Sequence, residues 1–446
     1  MAGLVDAVLA RPGANTRSYI FAGDQYIEYE WAAPIAREDH NDYALDGVHS
    51  IAEWGFPPAF AGEGTGNGVD AALAGRGAFD SYGYIFRGTH YVRYRWLPPG
   101  FDPETISSIE AWRLPTSLGR IDAAYNGALN RSAYCYFAQS DHYYRYVWST
   151  GLIDAGYPKK IGTLVGMPPD FASGFDSVCD GMGPYADRAY FFKGDNYLRF
   201  QWTAGSEEPH LDGTSSPVQG SWLGLAELLA AARAKTEALA WLAAAMPMVH
   251  DYANGLASGG AMPSQALVEG ALSTHFHLNP ATPSGSRLPS VNYILVRLHQ
   301  VEATLRASAT TFRFRTDTEA SADGSTAIDA AYTWPWPPSP ATRINVTRNF
   351  LTRSARNRVA SLLHEAVHVN DPDSIWPNRK VPDPIHIPEW YVNAPEALRL
   401  GIAFVADRTD FERRYDQMTT ANALHNPAAY ATFARHLHFR FDDRQL

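Results

Sequence analysis

Cysteine is nearly absent from this 446-residue chain, and the two that occur, Cys135 and Cys179, exclude a disulfide framework because they allow at most one bridge. Charged residues are also scarce, at 19%, and their balance is negative, with a formal net charge of -10. Residues 1 to 220 carry 16 Lys/Arg against 26 Asp/Glu, whereas residues 221 to 446 carry 21 of each. Neither half offers the positive excess that a nucleic-acid surface needs, so nucleic acid is not an expected partner. No run of 18 apolar residues occurs, which leaves no candidate membrane span. The start, MAGLVDAVLARPG, lacks the basic residues followed by a long apolar stretch that mark a conventional signal peptide. What the chain does have is 46% apolar and 13% aromatic residues, enough to build large cores over two or three domains.

The aromatics are not scattered. Four blocks align: SYIFAGDQYIEYEW ending at Trp31, GYIFRGTHYVRYRW at Trp96, CYFAQSDHYYRYVW at Trp148 and YFFKGDNYLRFQW at Trp202. Upstream of each lies an apolar-Asp-small motif, VDAVL at Val5, VDAAL at Val69, IDAAY at Ile121 and FDSVC at Phe175. Within a block, two β-rich runs flank a turn such as Gly23-Asp24. Residues then alternate, with Tyr26, Glu28 and Glu30 on one face and Ile27, Tyr29 and Trp31 on the other, the pattern of a hairpin. A unit with one inner strand, a hairpin and a closing segment reads as a four-stranded propeller blade, and four units close a ring.

These paired motifs over residues 1 to 218 resemble the hemopexin repeat. The resemblance implies an all-β four-bladed propeller whose first strands line a channel. Backbone carbonyls at Asp6, Asp70, Asp122 and Asp176 would there hold calcium or another cation. The alternative is that these aspartates cap turns. The chain departs from the family in lacking a clear cysteine pair between first and last blades, so closure rests on packing, and Cys135 and Cys179 read as small buried residues.

Residues 219 to 446 have a different character. From Ser221 to Val249 apolar residues recur at Leu225, Leu228, Leu229, Ala232, Leu239 and Leu242, the period of a long helix packed on one side. A short helix is expected near Gln265–Leu272 among Gly, Ser and Pro, and another near Val291–Ala307. Strands follow at TTFRFRTD from Thr310, AAYTWPW from Ala330 and RINVTRNFL from Arg343, before a helix from about Thr352.

That last helix carries SLLHEAVHV. His364 and His368 stand four apart, so both reach one zinc ion from one helix face, while Glu365 addresses the water to be activated. With 15 histidines in the chain, such a string arises by chance in roughly two or three chains per hundred, so its setting must support it. It does: Val359, Leu362, Leu363, Ala366 and Val369 form an apolar stripe that buries the helix and leaves the histidines at its edge. Catalytic zinc takes a third protein ligand. The metzincin continuation is excluded by Asp371 and Ser374. Glu389, 21 residues past His368, is the preferred third ligand, with Glu396, Asp371 and Asp373 as alternatives.

The strand-strand-helix order resembles a zincin, and AYTWPW, Phe350, LLHEAVH, EWYVN and NPAAYATFARHL at Asn426 resemble the aspzincin family of deuterolysin and lysine-specific endopeptidases. The resemblance implies a mainly helical α+β metallopeptidase domain with zinc as cofactor. Glu365 is its general base and Tyr391 a donor to the tetrahedral intermediate; packing beside Trp390 is the other reading of Tyr391. The chain departs where the family has Asp in a GTxDYxYG context and Glu389 stands in PEWYVN.

Together these readings predict a zinc endopeptidase acting on a protein or peptide, with a propeller that binds a protein, glycan or cell surface. The other class is a non-catalytic binding or toxin-type protein with a degenerate peptidase half. The propeller histidines His40, His49, His90, His142 and His210 form no obvious axial pair for haem. By resemblance the protein is expected outside the cell, secreted without a recognisable signal peptide, with the cytoplasm as the alternative.

Overall fold

A computed structural model describes residues 3–11, 16–33, 35–37, 39–61, 68–307, 311–322, 331–333, 343–370 and 418–442. The chain divides into two compact units, Met1–Arg233 and Ala234–Leu446.

Four antiparallel sheets make the first unit. Sheet one holds β1 (Ala7–Ala10), β2 (Arg17–Ala22), β3 (Gln25–Glu30) and β4 (Tyr43–Ala44). Sheet two holds β5 (Ala71–Ala74), β6 (Tyr82–Arg87), β7 (His90–Trp96) and β8 (Pro99–Ser108). Sheet three holds β9 (Ala123–Asn126), β10 (Tyr134–Gln139), β11 (His142–Val147) and β12 (Leu152–Ile153). Sheet four holds β13 (Ser177–Asp180), β14 (Arg188–Lys193), β15 (Asn196–Gln201) and β16 (His210–Leu211). Each repeated aromatic block is the central hairpin of its sheet. In the first, the register runs from Arg17↔Glu30 to Ala22↔Gln25 around Gly23, whose φ of +60° suits a residue without Cβ.

The inner strands meet in a ring: β1 touches β5, β5 touches β9, β9 touches β13, and β13 returns to β1. Each sheet therefore has a neighbour on both faces. This is why Tyr26 and Glu30 are buried along with Ile27, Tyr29 and Trp31, although simple alternation assigns them to opposite faces. Successive sheets share aromatic cores: Phe21 with Ile85 and Val92, then Phe86 with Trp112 and Phe137, then Tyr136 with Phe191 and Trp202. Between sheets four and one, Trp31 lies 5.4 Å from Tyr190 by ring centroids, and Trp222 sits 5.2 Å from Trp31 and 5.1 Å from Tyr190. The Leu4 amide donates to the Gly194 carbonyl at 3.1 Å across the same junction. The ring closes by packing, as expected. Both cysteines are free and buried, and burial pushes both thiols up.

The second unit is helical around a small sheet. Its long helices are α1 (Leu225–Ser258), which begins within the first unit, α2 (Gln265–Phe276), α3 (Ser284–Arg306), α4 (Ala355–Asn370) and α5 (Pro427–Phe439). The strands are β17 (Thr311–Phe314), β18 (Ala331–Thr333) and β19 (Arg343–Val346). The central β19 is parallel to β17 and antiparallel to β18. Two helices outrun their sequence signals. α1 continues past Val249 to Ser258, and α3 begins at Ser284, where the polar SGSRLPS and Pro289 masked its first turns. Among the described residues, no helix is long and apolar enough to cross a membrane.

Candidate metal centre

Helix α4 reads ARNRVASLLHEAVHVN, mostly good helix formers, and the Ser354 hydroxyl accepts from the Asn357 amide at 3.2 Å at its start. α3, α5, β18 and β19 all pack against it. Every residue from Val359 to His368 is consequently buried, including His364 at 6%, Glu365 at 8% and His368 at 8% exposure. The sequence placed the histidines at the edge of a one-sided stripe. The structure instead buries them, with α3, α5, β18 and β19 packed on α4.

The two imidazoles converge. His364 Nε2 lies 3.0 Å from His368 Nε2, and one ligand atom from each of His364, Glu365 and His368 falls within 4.8 Å of the others. Two nitrogens bound to one tetrahedral zinc stand about 3.3 Å apart, so this buried nitrogen pair fits the ion with only a small adjustment. Glu365 is positioned from outside the helix: Thr333, on strand β18, donates its hydroxyl to Glu365 Oε2 at 3.1 Å. The far end of α4 is held by α3. Arg297 donates to the Asn370 carbonyl, and Asn370 Nδ2 donates to the Ala366 carbonyl at 2.7 Å and to Thr304 Oγ1 at 2.8 Å. Glu389, Tyr391, Glu396, Asp371 and Asp373 lie outside the described residues.

The four repeated aspartates share one geometry. Asp6, Asp70, Asp122 and Asp176 each accept through a carboxylate oxygen from the hairpin-turn amide of the same sheet: Gly23, Gly88, Ser140 and Gly194, at 2.6, 2.6, 2.8 and 2.6 Å. This is the turn-capping alternative. Near Asp6, Arg233 donates to the Gly3 carbonyl. Burial pushes the Asp6 carboxyl up, against the pull of the Gly23 amide and of Arg233. At the other ends of the inner strands a cavity of about 750 Å³ is lined by Ala10, Arg11, Ala74, Arg76, Trp96 and Asp180 among others. Burial raises Asp180, which accepts from the Asn126 amide at 2.9 Å.

No family model matches the chain, and no curated protein matches it. Solved structures do. A hemopexin-fold protein, CP4 from cow pea, is 22% identical, with a TM-score of 0.40 over 50% of this chain and 96% of that one. LS24, a seed albumin from Lathyrus sativus, is 18% identical, with a TM-score of 0.41 over 51% of this chain and 99% of that one. A functionally unknown protein from Desulfotomaculum acetoxidans DSM 771 is 13% identical, with a TM-score of 0.21 over 48% of this chain and 56% of that one. By its own sheets and helices, the described N-terminal half is four antiparallel sheets and the C-terminal half is mainly helical.

Thr333, Arg297 and Trp222 make supporting contacts that no sequence pattern marked. Thr333 lay inside the noted AYTWPW string, but nothing local marks its hydroxyl as the partner of a carboxylate 32 positions on.

Proposed function

We propose that this protein is a zinc-dependent endopeptidase whose propeller recognises a protein, glycan or cell surface. The observation that carries the reading is the buried convergence of His364, Glu365 and His368 on α4. His364 and His368 would hold the ion, and Glu389 is the proposed third ligand. A zinc ion bound there supplies Lewis-acid polarisation of a carbonyl and a water of lowered pKa. The chain's own residues do the rest. Glu365 takes a proton through its carboxylate and passes it to the leaving amine, while the Thr333 hydroxyl holds its Oε2 oxygen in place. Enclosure of α4 removes bulk water and strengthens each of these polar contacts. Tyr391 is proposed as donor to the developing oxyanion. A hard cation on the carbonyls of Asp6, Asp70, Asp122 and Asp176, and action outside the cell, belong to the same proposal.

The test is metal content beside hydrolysis of an unstructured protein substrate. Glu365→Gln retains its zinc and loses about 10²–10⁴-fold in kcat/KM, whereas His368→Ala loses the α4 zinc and hydrolysis together. Undiminished hydrolysis in Glu365→Gln, or a wild-type chain that binds zinc at α4 yet cleaves nothing, overturns the enzyme and leaves a binding protein.

A further inference from the structure

A second convergence of metal-ligating side chains, sharing no residue with the first, lies in the helical unit. His275 is in the last turn of α2, His436 in the last turn of α5, and Asp442 follows the end of α5. One ligand atom from each falls within 4.8 Å of the others. His275 Nε2 lies 3.0 Å from His436 Nδ1, although the two residues are 161 positions apart. His275 is completely buried and His436 is 9% exposed.

We propose that His275, His436 and Asp442 form a second metal site that takes zinc or a similar divalent transition ion and ties α2, α5 and the segment after α5 together. Two imidazoles and one carboxylate are the donor set that such ions prefer. α5 ends at Arg440, which caps the helix in the left-handed region with φ of +63°, and Asp442 lies two residues beyond. The spacing of the nitrogen pair matches that of His364 and His368, so one ion class suits both.

This site does not depend on the reading of α4, and the experiment separates them. The full chain is stripped with chelator, dialysed against zinc and assayed for bound metal, with circular dichroism confirming the fold. The wild type binds two equivalents. A His364→Ala, His368→Ala double variant keeps one, and zinc raises its melting temperature. Adding His436→Gln removes that remaining equivalent. Because His436 is buried and its variant could unfold, Asp442→Asn, at a partly exposed position, is tested in the same double-variant background and weakens the residual affinity at least tenfold. A folded double variant that binds no zinc overturns the proposal. So does one whose residual zinc is indifferent to Asp442→Asn.

Discussion

Asp6, Asp70, Asp122 and Asp176 show how one residue type sets a local structure four times. Each carboxylate gives an acceptor to an amide in a turn where the backbone turns left-handed, at Gly23, Gly88, Ser140 and Gly194. An amide in such a turn has no ladder partner, and a charged acceptor contributes roughly 1.5–3 kcal/mol. Asp70→Ala is therefore expected to cost about 2 kcal/mol in urea unfolding of the full chain, and Asp70→Asn, which keeps an acceptor, distinctly less. Equal losses for the two would show that the carboxylate does something other than cap the turn. These aspartates were visible in the sequence because the motif recurs. Thr333 was not, because one hydroxyl in a short strand carries no periodic signal, and only the packing of β18 on α4 gives it Glu365 as a partner.

Among the helices, one polar cluster ties three together: Tyr252 of α1 donates its hydroxyl to Glu269 of α2 at 3.0 Å, and Arg287 of α3 donates to both. Burial pulls the Glu269 carboxyl up, but the hydrogen bonds from Arg287, Gln265 and Tyr252 outweigh it and hold it below the ordinary value. Burial, and then the bond to Glu269, push Tyr252 up to about 12. The signs follow from linkage. A carboxyl held low contributes stability that is full above its unfolded value and is lost as pH falls through the folded one. A phenol held high contributes stability that is full below about 10 and is lost as pH rises toward 12. Helical melting followed by circular dichroism should accordingly weaken below about pH 4.3 and again above about pH 10. In Glu269→Gln the acid-side slope should flatten. An unchanged acid limb in that variant would show that the cluster does not set it. The apolar periodicity announced these helices, yet it missed the last turns of α1 and the first turns of α3. There the polar, glycine-containing HDYANGLAS after Val249, and Pro289 in α3, interrupt the local pattern while tertiary packing carries the helix through.

The whole molecule joins an aromatic ring of sheets to a helical unit, and the ring depends on residues beyond its last repeat. Trp222 packs on Tyr29, Trp31, Tyr190, Phe192 and Tyr197, and the Ala44 amide donates to the Leu223 carbonyl at 2.9 Å. A fragment ending at residue 220 should therefore unfold in urea at a lower midpoint than one ending at residue 233. Tryptophan fluorescence reads the difference, and coincident midpoints would remove Trp222 from the closure. The sequence alone determined what repeats or has a fixed spacing: four hairpins with their aspartates, and two histidines one helical turn apart. Such features depend on backbone geometry within a few residues. Only the tertiary structure decided how α4 is enclosed, that Thr333 meets Glu365, that Trp222 closes the ring, and that His275 meets His436 across 161 positions. Those meetings come from packing between elements distant in the chain, where no local period records which side chains will face each other.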